Sequence, residues 1–266
     1  MPLVNLDGVN IYYEDHGGGP VTYVYCHGLG GNSKFFEQKE LDWYKARFRV
    51  ITWDNRGLGR SGTAGEYSLP LYAKDLKLLL DYLSVDEAVL FGVSWGGVVV
   101  QRFALDYPEK CSALILDSTS SETNIAGSEN WYMRGEIARL GHDAAMRGRE
   151  LESAFSGHSR AGDNKIVLEN ESYLTSYIAQ CRSTAGLREH PLTPELSRLT
   201  MPILVIGGGK DVVAGAGGSV IIGRNVQNST VNIFQEAGHG VYTSDRIGFR
   251  RVLLDFLDRE QILELI

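Results

Sequence analysis

Ser94 sits in "FGVSWGG" (Phe91–Gly97), with an apolar run on either side. Ala88-Val89-Leu90-Phe91 reads as a buried strand, and Val98–Leu105 as a helix ended at Tyr107-Pro108. Glycines at 92, 96 and 97 suit a strand that turns straight into a helix, because a side chain there would collide with the neighbouring backbone. A serine on such a turn is lifted above the sheet and becomes a candidate nucleophile. The N–H of Trp95 then opens a helix, where it can donate to an anion. Serine attacks only with a base beside it. Of six histidines, His239 in "FQEAGHGVY" follows a strand and precedes the last helix, where a base is needed. His27 is the second candidate, while His16, His142, His158 and His190 fall in polar surroundings. The base in turn needs a carboxylate to hold its tautomer. Asp211 in "VIGGGKDVV" lies just past a strand, where parallel sheets collect ligands and catalytic groups. The order Ser94, Asp211, His239 is nucleophile, acid, base.

Bringing three strand ends to one edge requires strands that run the same way. "VTYVYCHG" (Val21–Gly28) reads as a strand, and "NSKFFEQKELDWYKA" (Asn32–Ala46) as a helix capped by Asn32 or Ser33. "FRVITWDNRG" is the next strand, and "PLYAKDLKLLLDYL" a helix with Pro70 in its first turn. The strand before Ser94 and its following helix come next, then "SALILDSTS" as a strand. Strands alternating with helices of this length predict an α/β fold with a mostly parallel, doubly wound sheet. From about Ser120 to Glu195 the chain turns polar, charged and helical. "PILVIGGG" resumes the sheet, followed by "STVNIFQEAGHG" and a closing amphipathic helix, "IGFRRVLLDFLDREQILEL". The expected organisation is a core of residues 1–119 and 196–266, interrupted by a helical cap at 120–195.

These motifs resemble those of the α/β-hydrolase fold family over nearly the whole chain. "GVSWGG" is similar to its nucleophile elbow, "GGGKD" to its acid loop and "AGHG" to its histidine loop. "CHGLGG" (Cys26–Gly31) is similar to its oxyanion loop, which implies the N–H groups of Leu29 and Trp95 as oxyanion donors and a structural His27. "DNRGLGRS" (Asp54–Ser61) matches a D-x-R-G-x-G-x-S segment of the family, read here as a stabilising turn. Two departures stand out. The acid loop has no proline after its aspartate and is rich in glycine ("DVVAGAGGSV"), and Asp117 occupies a position from which some members draw their acid. Asp211 is preferred over Asp117.

The resemblance implies a serine hydrolase of the esterase and enol-lactonase group, with no metal or cofactor. A carbon–carbon hydrolase of ring-cleavage products shares the triad and is the alternative. So is a proline iminopeptidase-like amidase, although its HGGPG loop signature is replaced by "HGLGG". A ligand-binding relative with little turnover is the non-enzymatic reading. A serine in place of an aspartate disfavours haloalkane dehalogenation.

The 266 residues, 43% hydrophobic, supply a sizeable core. A net charge of −7 with mixed signs argues against nucleic acid or an anionic membrane as partner. Cys26, Cys111 and Cys181 are far apart and odd in number, and the first residues hold no basic-then-apolar leader. A reduced, cytoplasmic protein acting on a small molecule is expected, with homo-oligomerisation left open. In the insertion, Trp131, Tyr132, Met133, Phe155, Tyr173 and Tyr177 offer an apolar ceiling for substrate. Eight Lys or Arg against eleven Asp or Glu make no cationic funnel there.

Overall fold

The structure, a computed structural model, describes residues 2–36, 38–148 and 173–263. Apolar runs form the strands β1 (Leu3–Leu6), β2 (Val9–Gly18), β3 (Val21–Cys26), β4 (Phe48–Trp53), β5 (Ala88–Val93), β6 (Cys111–Asp117), β7 (Ile203–Gly208) and β8 (Ser229–Phe234). They make one sheet in the order β1-β2-β4-β3-β5-β6-β7-β8, antiparallel at β1, β2 and β4 and parallel from β4 onward. The helices whose full span is described are α1 (Gln38–Lys45), α2 (Leu69–Tyr82), α3 (Trp95–Asp106), α4 (Ile125–Ala138), α5 (Leu174–Gly186), α6 (Gly215–Asn225), α7 (Val241–Ser244) and α8 (Arg246–Arg259). This is the expected mostly parallel α/β sheet.

Central strands are apolar on both sides because both faces of the sheet are covered. In β5, Ala88 and Leu90 pack into one core with Leu76 and Leu79 of α2 and Phe103 of α3. Val89, Phe91 and Val93 point the other way, into a core with Leu41 of α1 and Phe249 and Leu253 of α8. Phe91 is fully buried, so truncation to alanine would cost about 3–5 kcal/mol.

Three elements differ from the sequence reading. The helix expected over Asn32–Ala46 begins as a 3₁₀ turn, Ser33–Phe35, with the Asn32 side chain accepting the Lys34 N–H, and α1 starts only at Gln38. β1 and β2 form a hairpin through Asp7-Gly8, both at positive φ, as a two-residue type I′ turn requires. α6 forms although four of its eleven residues are glycine. Its propensity is poor, and packing of Ile222 into the core offsets it.

The helical segment between β6 and β7 leaves and rejoins the core at one neck. Leu192 N–H donates to Ser121 O (2.8 Å), and the hydroxyls of Ser121 and Thr193 lie 2.6 Å apart. Its helices α4 and α5 share a small core of Ala138, Tyr177 and Cys181. Among the described residues no helix is long and apolar enough to cross a membrane.

Candidate active site

Ser94 lies between β5 and α3 with φ 54° and ψ −120°, a conformation that costs a serine about 1–3 kcal/mol. Its neighbours hold it there. Its N–H donates to Asp117 O (2.9 Å), and its carbonyl accepts from Gly97 N–H (2.9 Å) and the Thr119 hydroxyl (2.7 Å). A Cβ at Gly96 would stand 2.0 Å from Cys26 O, and one at Gly92 2.5 Å from Gly96 O. Both positions therefore exclude every other residue. Trp95 is the first residue of α3, so its N–H has no partner within the helix.

The loop after β8 brings in His239, whose Nδ1 is 2.9 Å from Asp211 Oδ2. The Asp211 side chain is almost inaccessible, while that of His239 is 22% exposed. Burial pushes the Asp211 carboxyl up, but the His239 contact and the N–H groups of Val213 and Ala214 outweigh it and hold the carboxyl below its ordinary value. It therefore stays ionised, as a partner for an imidazole must.

Asp117 meets the same loop differently. Its carboxylate accepts the N–H groups of Val241 (3.1 Å) and Tyr242 (2.9 Å), and Ser118 Oγ accepts that of Gly240 (2.9 Å). The pair at the end of β6 thus anchors the histidine loop by its backbone, and the same Asp117 carbonyl holds Ser94. Sequence reasoning did not foresee this anchor. Nor did it foresee Thr119, whose role follows from a contact across 25 positions that leaves no local signal.

Beyond β3, Gly28–Gly31 makes a turn closed by Gly31 N–H to Gly28 O (3.0 Å), with Gly30 at φ 66°, the signature of type II. His27 supports it from below. The Asn55 N–H can only donate, so His27 Nε2 accepts it (3.2 Å) and Nδ1–H donates to Gly28 O (3.0 Å). Full burial pushes the imidazole below its ordinary pKa, which keeps it neutral in that role. Asp54 accepts the N–H groups of Ser33 (2.6 Å) and Arg60 (2.8 Å), and Arg56 grips Asp75 with two bonds of 2.6 and 2.7 Å. The "DNRGLGRS" segment is a frame under the loop.

A cavity of about 600 Å³ opens over these strand ends. Leu29, Ser94 and Trp95 lie on its floor, Val213, Ala214, Gly215, Gly217 and Gly218 of the glycine-rich segment on one side, and Trp131 of α4 and Leu187 above. Its described lining holds one carboxylate, Glu122, and no Lys or Arg. Of the residues expected to touch substrate, Trp131 lines this cavity. Tyr132 is exposed on α4, Tyr173 precedes the first turn of α5, and Tyr177 is buried in the α4–α5 core. None of these three lines it, and Phe155 lies outside the described residues. The wall formed by "VAGAGG" went unrecognised, although its lack of side chains beside Asp211 was the available signal.

The alpha/beta hydrolase fold family model matches residues 23–245, and the chain belongs to that family; it is a hydrolase by class. It is 26% identical to 3-oxoadipate enol-lactonase 2 of Acinetobacter baylyi over 223 residues, covering 81% of this chain and 80% of that one. A putative carbamate hydrolase of Variovorax paradoxus is 25% identical over 256 residues, 94% of this chain and 96% of the other. Among solved structures, the enol-lactonase of Burkholderia xenovorans LB400 shares the fold at a TM-score of 0.83 with 20% identity, covering 96% of this chain and 99% of that one.

Proposed function

We propose that this chain is a serine hydrolase that cleaves a small carboxylic ester or lactone through an acyl-enzyme. The observation that carries the reading is the His239–Asp211 hydrogen bond, made on a loop that Asp117 and Ser118 pin beside the strained Ser94 turn. Nδ1 faces Asp211, which leaves Nε2 to accept the Ser94 proton as Oγ attacks the substrate carbonyl. The N–H groups of Leu29 and Trp95 receive the developing oxyanion, each worth about 3 kcal/mol. Collapse expels the alcohol, protonated by His239. Water, activated by the same imidazole, then releases the acid and restores Ser94.

Residues 120–195 act as a cap over a core of 1–119 and 196–266, and carry selection, not chemistry. A cavity of about 600 Å³ falls in the range that suits a small-molecule substrate. Trp131 and Leu187 would meet its apolar part. The enol-lactonase and carbamate hydrolase relatives support attack on an acyl carbon attached to oxygen. A fluorophosphonate probe tests the reading: it should label Ser94 in the parent, found by peptide mass spectrometry, and leave Ser94→Ala unlabelled. That variant should lose at least about 10⁴-fold in kcat across a panel of short esters and lactones. A variant keeping a tenth of parental kcat would refute the assignment.

A further inference from the structure

The turn at Gly28–Gly31 is not held by the core alone. Gly30 N–H donates to Gln180 Oε1 at 2.8 Å, a buried bond that crosses 150 positions to helix α5. Gln180 is fully buried. One residue earlier, the Leu29 side chain packs against the α4–α5 core, to which α5 contributes Leu174, Tyr177 and Cys181. Backbone and side chain of the same turn are thus both gripped from α5. A second tie sits a turn earlier on that helix. Ser176 Oγ donates to Arg56 O (2.8 Å) and lies 3.1 Å from the Tyr72 hydroxyl, which also meets the Gln180 side chain.

The central peptide of the turn, Leu29 C=O to Gly30 N–H, is the one whose flip separates a type II from a type I turn. A buried acceptor over Gly30 N–H holds that peptide one way up. Without it, the N–H is left buried and unpaired, which favours a rearranged turn. From this geometry we infer that Gln180 is a positioning residue: it sets the oxyanion loop, so that the Leu29 donor is in place only when α5 is docked. The inference rests on the serine-hydrolase reading above. It makes the α5 segment part of the catalytic geometry as well as a lid.

Three variants of the full chain test it: Gln180→Met, which keeps length and loses the acceptor; Gln180→Glu, which keeps an oxygen over Gly30; and Ser176→Ala, which cuts the other tie. kcat, KM, the thermal midpoint and inhibition by a substrate-shaped trifluoromethyl ketone are measured for each. That ketone forms the tetrahedral oxyanion on the serine. Gln180→Met should lower kcat by roughly 10–100-fold with KM within about threefold, because a misplaced group costs the transition state and not ground-state binding. Its ketone inhibition constant should rise by the same factor. Gln180→Glu should recover most of both, and Ser176→Ala should lower the midpoint with kcat within about threefold. The inference is overturned if Gln180→Met loses no more kcat than Ser176→Ala, if its effect is on KM alone, or if Gln180→Glu is as impaired. A parent whose ester turnover survives Ser94→Ala sinks the underlying reading instead, before any Gln180 variant is compared.

Discussion

Asp117 is the last residue of β6 and Asp211 follows the adjacent parallel strand β7, and both reach the loop that carries His239. One holds that loop's main chain, the other its imidazole. Their environments push them in opposite directions. Burial drives the Asp117 carboxyl from an ordinary 3.8 up to about 6, against the pull of the Tyr242 and Val241 N–H groups and the Ser118 hydroxyl. Asp211, less completely enclosed and next to the imidazole, stays below its ordinary value. The difference teaches that proximity to a histidine does not select its partner. What selects it is which carboxylate meets a ring nitrogen and which is used up by backbone donors.

The largest effect should come from Asp211→Asn, which removes the acceptor that fixes the Nδ1–H tautomer. A loss of up to about 10⁴-fold in kcat is expected, with little change in the thermal midpoint. Steady-state kinetics on the best ester of the panel reads it. A nearly normal Asp211→Asn beside a dead Asp117→Asn would reverse the two roles.

The second prediction concerns pH. A carboxyl whose folded pKa is raised adds stability that is fully present below its unfolded value and is lost as pH rises through the folded one. For Asp117 the window runs from 3.8 to about 6, and the stability lost across it is on the order of 3 kcal/mol. Asp211 has the opposite sign: its contribution is present above 3.8 and is lost as pH falls through its lowered folded value. Urea unfolding of the parent and of Asp117→Asn across pH 4–7 separates them. The variant should lack the decline between pH 4 and 6, and equal slopes in both proteins would contradict the burial argument.

Smaller still is Ser118→Ala, which deletes the hydroxyl between Asp117 and Gly240 N–H. A loss of about 0.5–1.5 kcal/mol in urea stability is expected, with a few-fold fall in kcat as the histidine loop loosens. A drop in kcat as large as that of Asp211→Asn would mean the end of β6 does more than anchor.

Much of the fold was legible because its signals are local. The strand before Ser94, the helix after it and the glycines between them occupy one unbroken stretch, Ala88–Asp106, and the collisions that demand glycine are backbone collisions. The missed pieces each lacked such a signal or were outvoted by composition. Asp7-Gly8 does mark the first hairpin, but its strands lie at the sheet edge and are only partly apolar. α6 reads as a loop because its glycines say so, and only burial of residues such as Ile222 makes it a helix. The expected ceiling of tyrosines shows the same limit at the site. Tyr132 and Tyr177 have the side chain an apolar wall needs, but the rotation of α4 and α5 about their axes turns one to solvent and the other inward.

By itself the sequence determined the class of chemistry on offer, a serine on a strand-to-helix turn with a histidine and aspartates at later strand ends. Residue type and a six-residue backbone constraint suffice for that. The sequence preferred Asp211 over Asp117 as the partner of His239, but only the tertiary structure shows that contact, 28 positions apart, and shows Asp117 spent on the loop's backbone. Tertiary structure also decided that Gln180 of the insertion lies over the Gly30 N–H. Those outcomes depend on how loops from separate strands and a helix from a distant segment come to rest against one another. No stretch of chain short enough to carry a local signal contains both partners.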